Sequence, residues 1–449
     1  MKKAFPVHGI IGIALLFLSE IFLFKKVEPF YSWFYCFAWW SYILTIDGII
    51  YCLKGNSLIL SRTKEFFLMI PWSIFIWLIF ETANLSLKNW YYIHLPHSVV
   101  ERWIGYAVAY GTVLPGLFET TELLETAGLF NRIKMEKTVI SRESHLALFL
   151  LGILCLVSSV LIPEYFFPLI WVGFLFTLDP LLYRAGGRSL LRDLEEGNPR
   201  KLYLLLLAGL VCGLLWEFWN FWTLSKWIYT VPFFEERKGF EMPVLGFLGF
   251  PPFALQAYVM YHTISFFRFQ RGWEESMARP HPEKKTKPLA FVLTALLIGI
   301  FSVSIFRAID FHTVDSYYPR LEDAYWIDPH HRKELPKAGI VSMEDLISKT
   351  REKKDRDELA LRLLVPKEEF IQWVEKAKLV QLKGMGVENL RVLERVGIHS
   401  IPALAAEDGE TVYHKIKEMD PWGKIPRIAK IRIWIREAQK EARGTRDEG

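Results

Sequence analysis

A chain of 449 residues is long enough for two or three domains. Its formal net charge of +5 is small and scattered through loops between apolar segments, which does not describe a nucleic-acid-binding surface. The four cysteines, Cys36, Cys52, Cys155 and Cys212, all fall inside apolar stretches and form neither a disulfide framework nor a metal-ligand spacing.

The composition changes at about residue 310. Before it, apolar and aromatic residues dominate; after it, charges recur every second or third position. Most of the 17 Trp, 18 Tyr and 34 Phe lie in the first part, as expected of helices anchored at both bilayer interfaces. The apolar run after Met1-Lys2-Lys3 lacks a small-residue cleavage site and is followed at once by further apolar segments. It reads as a retained anchor.

A spanning helix needs about 20 mostly apolar residues. Nine segments qualify: 7–25, 30–53, 66–84, 103–121, 145–162, 166–185, 202–223, 243–266 and 288–309. The loops after the even-numbered segments carry the basic residues. They include Lys54, Arg62 and Lys64, then Arg132, Lys134 and Arg142, then Arg184, Arg188 and Arg200. After the eighth come Arg268, Arg271, Arg279, Lys284, Lys285 and Lys287. The positive-inside rule therefore puts the N-terminus in the cytoplasm of a cell (inner) membrane, and nine spans put the C-terminal domain on the opposite side.

Three blocks recur in order. Trp40 to Tyr51, around Asp47, matches Trp171 to Tyr183, around Asp179, 132 residues on. Phe80-Glu81-Thr82-Ala83-Asn84 matches Trp216-Glu217-Phe218-Trp219-Asn220, 136 residues on, each followed by an aromatic cluster. Gly111 and Pro115 match Gly249 and Pro252. The pattern predicts an all-α polytopic bundle: two parallel four-helix repeats (1–142 and 143–287), a ninth helix with linker (288–319), and a soluble helical domain (320–449).

Ionisable residues at membrane depth mark functional sites by default. Asp47 and Asp179 each have a tyrosine one turn on, Tyr51 and Tyr183, placed to donate to the carboxylate. The following Gly48 and Pro180 disfavour regular helix. Glu81 with Asn84, and Glu217 with Asn220, share a helix face at i,i+3. A carboxylate beside an amide binds a proton, a cation or a polar headgroup, and the tryptophans around Glu217 suit a cationic or apolar guest. Helix-to-helix hydrogen bonding is the structural alternative for each. Glu119 is matched by Gln256, a break in the symmetry that favours one specific site. Gly111 and Pro115, with Gly249, Pro251 and Pro252, interrupt corresponding spans and point to a site near the midplane. His94, His97 and Glu101 lie in a loop that reads as solvated rather than metal-binding. No metal and no cofactor is expected, and no nucleophile–histidine pair or phosphate loop is present in the sequence.

In the soluble part, Leu379 to Lys383, Gly384-Met385-Gly386 and Val387 onward read as helix, hairpin and helix. With Leu335-Pro336-Lys337-Ala338-Gly339-Ile340, Ser342, Glu344-Asp345-Leu346 and Trp373-Val374, residues from about 325 to 420 resemble a domain family of unknown function built from paired helix-hairpin-helix units. The resemblance implies a compact helical domain and no activity. Gly384 and Gly386 offer amides of the kind that hold a phosphate. The first unit has Trp326-Ile327-Asp328 at that place, and the domain's charges nearly balance, so nucleic acid is not the expected partner. The last segment, Lys424 to Arg443, reads as a basic surface helix.

Three functions fit. The first is a protein that binds and moves a small molecule or lipid between its repeats. The second is an intramembrane enzyme using acid catalysis on an isoprenoid or other lipid. The third is a membrane scaffold whose C-terminal domain engages a protein partner.

Overall fold

The computed structural model describes residues 4–231, 238–269, 274, 288–420 and 425–447. Among the basic residues used for orientation, Arg271, Arg279, Lys284, Lys285 and Lys287 lie outside the described residues, as does Lys424. The chain divides into two units. One comprises Met1–Trp90, Val99–Leu224 and Val231–Thr313; the other comprises Tyr91–Ser98, Ser225–Thr230 and Val314–Gly449.

The first unit contains α1 (Val7–Phe24), α2 (Phe30–Lys54), α3 (Leu58–Ser61), α4 (Thr63–Leu87), α5 (Val99–Tyr110), α6 (Val113–Thr126), α7 (Arg142–Leu161), α8 (Pro163–Phe166), α9 (Ile170–Ala185), α10 (Leu190–Glu195), α11 (Arg200–Trp222), α12 (Phe250–Phe269) and α13 (Pro288–His312). Among the described residues, eight helices are long and apolar enough to cross a membrane. The remaining expected span, 103–121, is divided between α5 and α6 at Gly111 and Thr112. Ser73 of α4 bridges that break: its hydroxyl donates to the Tyr110 carbonyl (2.6 Å) and accepts from the Leu114 N–H (3.0 Å). Backbone groups at the break thus keep partners, as burial among apolar side chains requires. Pro115 falls in the first turn of α6, and Pro251 and Pro252 in the first turn of α12, where a missing N–H does no harm. Gly249 ends a 3-10 turn, Val244–Gly249, that leads into α12.

Small residues set the closest helix crossings, because lipid offers no hydrophobic drive between helices. A Cβ on Gly48 would lie 3.1 Å from the Gly9 Cα, and one on Gly12 2.6 Å from the Thr45 hydroxyl, so α1 seats directly on α2. Gly152 of α7 seats likewise on Thr177 of α9, and Gly209 of α11 on Pro251 and Ala254 of α12. Gly48 and Pro180 do not break their helices: α2 and α9 run through both. Gly48 is there for the close approach.

Two small sheets depart from the all-α expectation: in the first unit Lys238–Gly239 pairs antiparallel with Met242–Pro243, and a further sheet contributes to the second unit. The aromatic clusters form two paired strands, β1 (Trp90–Ile93) and β2 (Lys226–Tyr229). Bridges from Tyr92 to Val314 and from Leu95 to Tyr317 run alongside. The core of the second unit gathers Phe370, Trp373, Leu390, Leu404 and Trp434, with a second cluster of Tyr91, Ile93, Ile228 and Ile433. The final helix, Ile428–Asp447, buries Ile431, Trp434, Ile435 and Ala438, and also Lys430, which the sequence reading left at the surface.

Candidate functional site

Asp47 and Asp179 are buried, and each caps a short helix. Asp47 accepts from the Ser57 hydroxyl (2.8 Å) and the Ile59 N–H (2.7 Å) at the start of α3. Asp179 accepts from the Ser189 hydroxyl (3.0 Å) and the N–H groups of Leu190 and Leu191 (both 2.9 Å) at the start of α10. A carboxylate at a helix N-terminus meets orphan donors and the positive end of the dipole. Gly55 and Gly186, both at positive φ, turn the chain back after α2 and α9 so that these donors reach their acid. Asp47 has a further neighbour: His8 Nε2 of α1 lies 2.8 Å from Oδ2. Tyr183 does not donate to Asp179. Its hydroxyl donates to Glu195, and its ring packs on His145 (4.3 Å) and under the Arg192 guanidinium (5.1 Å). Tyr51 is half-buried, and the described partners of Asp47 are His8, Ser57 and Ile59.

Glu119 of α6 is fully buried, and neither carboxyl oxygen has a hydrogen-bond partner among the described residues. Its carboxyl faces that of Asp47, with Glu122 and Arg62 close by. Arg62 and Lys54 both engage Glu122, the latter at 2.7 Å. The neighbouring Thr120 exchanges hydrogen bonds with Tyr42 (2.8 Å) and the Cys212 thiol (3.2 Å) of α11. Gln256 is placed differently: its amide donates to the Ile170 carbonyl (3.2 Å), near the opposite end of α9 from Asp179. The structure thus brings Glu119 to Asp47 and does not bring Gln256 to Asp179.

Glu81 lies among aromatic rings. The indole N–H groups of Trp77 (2.9 Å) and Trp90 (3.1 Å) both donate to Oε1. Asn84 does not face the carboxylate as a ligand partner. Its amide donates to the Trp90 carbonyl and accepts from the N–H groups of Asn89 and Trp90, so it fixes the turn that delivers the Trp90 indole. Trp77 of α4 packs against Trp216 of α11 (5.1 Å), and Trp216 against Tyr35 and Trp39 of α2 (both 6.1 Å). Phe80 and Trp90 stack on Trp171 of α9. Glu217 is buried next to Trp216, within electrostatic reach of Tyr35, and Asn220 is buried one turn on.

Asp310, which does not stand out in the sequence, is a further polar centre of this unit. It accepts from Arg102 at two nitrogens (3.1 and 2.8 Å), from the Trp103 indole (3.1 Å) and from the Tyr106 hydroxyl (3.0 Å). Tyr106 also feels the charge of Glu81, which extends the polar network from α13 through α5 towards α4. Its place three residues after Arg307, at the end of a long apolar helix, was the available signal for Asp310.

Among the described residues, no group of three or more His, Cys, Asp or Glu is placed to hold a metal ion. His97 lies 2.9 Å from the Tyr318 carbonyl and 3.2 Å from an Asp323 oxygen. Burial, with the charges of Lys226 and Lys383, pushes the His94 imidazole down to about 4, so it is neutral at physiological pH. Glu101, on α5, accepts from the Trp33 indole (3.2 Å). At the hairpin, Gly384 and Gly386 hold positive φ. A Cβ on Gly386 would lie 2.7 Å from Ser316, and one on Gly384 3.3 Å from Ile93, so other parts of the same unit cover this turn.

Comparison with curated proteins and with solved structures finds no match to the chain. Residues 326–441 match a protein family described as Domain of unknown function (DUF4332), the part whose motifs carried the resemblance.

Proposed function

We propose that this is an integral membrane protein of two related halves that binds and moves a small molecule or lipid at an acidic, aromatic core between them. One observation carries the reading. Glu81 is buried where two indole N–H groups converge on it, and one of those indoles, Trp77, packs on Trp216 from the other half. A carboxyl framed by aromatic faces suits a cationic or amphipathic guest.

The duplication is supported by parallel packing. α1 lies on α2 as α7 lies on α9, and α4 and α2 both meet α6 as α11 and α9 meet α12. The caps made by Asp47 and Asp179 recur in the same places. In this reading α5 and α6 together make one interrupted span, which brings the number of crossings to nine. The loops Tyr91–Ser98 and Ser225–Thr230 fold into one unit with Val314–Gly449, so all three belong on one side of the membrane. With basic loops inside, that side is opposite the N-terminus.

The test is mass spectrometry of organic extracts from the full-length protein purified into lipid nanodiscs. A compound enriched over the bulk lipid, and lost in Trp216→Ala and Glu81→Gln, supports binding. Its chemical conversion during incubation would favour the enzyme. An extract identical to bulk lipid in all three proteins leaves the scaffold reading standing.

A further inference from the structure

The geometry points to a proton-binding site at Glu119, linked to the membrane surface through Asp47 and His8; this goes beyond the aromatic core and needs no guest there. Three features combine. Glu119 is fully buried on α6, and both its oxygens lack a hydrogen-bond partner among the described residues. The group it faces is the Asp47 carboxyl. Two carboxyls form a hydrogen bond with each other when a proton lies between them, and two like charges in apolar surroundings repel. Asp47 in turn lies 2.8 Å from His8 Nε2, and the His8 side chain retains 17% of its exposure near the start of α1.

The other charged groups around the pair are already engaged. Glu122, on the same helix, holds Arg62 and Lys54. Tyr42 of α2 is bonded to Thr120, as is the Cys212 thiol of α11. Tyr261, which α12 contributes beside Phe118, is bonded to Glu65 of α4. These groups hold the local charge while leaving Glu119 and Asp47 to share one proton.

The transfer balances as two steps. The Nε2–H bond of a His8 imidazolium breaks as an O–H bond forms at Asp47 Oδ2. That O–H then breaks as one forms at the Glu119 carboxylate. His8 ends neutral, Asp47 returns to carboxylate, and Glu119 carries the proton. Among the described residues, the second copy has no such path. His145 is turned to the Ser141 carbonyl (2.8 Å), the described partners of Asp179 are Ser189, Leu190 and Leu191 with no histidine among them, and Gln256 takes the place that matched Glu119.

Infrared spectroscopy of the full-length protein in nanodiscs tests this through the carbonyl stretch of protonated carboxyls. A band sensitive to exchange into D2O should be present in the wild type and lost in Glu119→Gln. His8→Gln should keep the band but slow its deuterium shift by about a hundredfold or more, the loss expected when a proton-transfer group is removed. If Glu119→Gln does not fold, Asp47→Asn reads the same site: the pH at which the band disappears must move. A band that persists in Glu119→Gln, or a pH midpoint unmoved by Asp47→Asn, overturns the assignment of the proton. A deuterium shift unaffected by His8→Gln overturns the path.

Discussion

Lys430 makes the sharpest quantitative test of how the second unit is held together. Its ammonium is paired with Asp315 at side-chain exposures of 7% and 3%, and it lies 4.2 Å from the Tyr91 ring centroid. Lys430 reaches Asp315 Oδ1, and Oδ2 has no hydrogen-bond partner among the described residues. Lys430→Met removes the cation and leaves a buried carboxylate without compensation, a change of about 3–5 kcal/mol. At about 1.4 kcal/mol per tenfold, that is a rise in local opening of roughly a hundredfold to a few thousandfold. Hydrogen–deuterium exchange of the full-length protein reads it directly in peptides from 428–443 and 91–93. Asp315→Leu combined with Lys430→Met should recover most of the loss, because replacing both partners with apolar groups removes the uncompensated charge. A rise in exchange of less than tenfold in Lys430→Met, or a double variant as damaged as the single, would show that the pair does not hold the unit together.

The same unit should respond to pH through His94. Its folded value near 4 lies below the ordinary 6.5, so the unfolded chain binds the extra proton first. Stability is full above about 6.5 and falls as pH drops towards 4, by at most about 3 kcal/mol. Exchange corrected for its intrinsic rate should show this in residues 91–98, and His94→Asn should flatten it; an equal slope in the variant refutes the assignment. Asp179→Ala orphans the Ser189 hydroxyl and the N–H groups of Leu190 and Leu191, and should lower unfolding free energy in detergent by about 3 kcal/mol or more. A thermal midpoint equal to wild type would show that α10 needs no cap. Ser73→Ala strips the bridge across the α5–α6 break and should destabilise by about 1–3 kcal/mol. Denaturation of the variant alongside wild type decides it.

Much of the candidate site was readable along the chain because its chemistry is local. Asp47 and Asp179 stood out as acids in apolar runs, each followed at a fixed distance by Gly, Ser and Leu. That short sequence is the turn and capped helix that the carboxylate serves, although the sequence pointed to Tyr51 and Tyr183 as its donors. The anticipated role was wrong in detail for Tyr183 and Asn84, whose partners lie on neighbouring turns rather than on the acid. The partners from distant segments were hidden. His8 with Asp47, Arg102 with Asp310, and Trp77 with Trp216 are 39, 208 and 139 residues apart, and no periodicity connects them.

Segment length and apolarity by themselves determined that this chain has helices long and apolar enough to cross a membrane. Glu119 was conspicuous in the sequence as the unmatched member of a pair. Only the tertiary structure decided what it meets, because α6 packs on α2 in a rotation that seats the Trp39 ring beside Gly116. That rotation turns the carboxyl towards Asp47, whereas Gln256 on α12 is bonded to the Ile170 carbonyl. Helix rotation is a property of the packed interface, and it made one of two matched positions a buried acid pair.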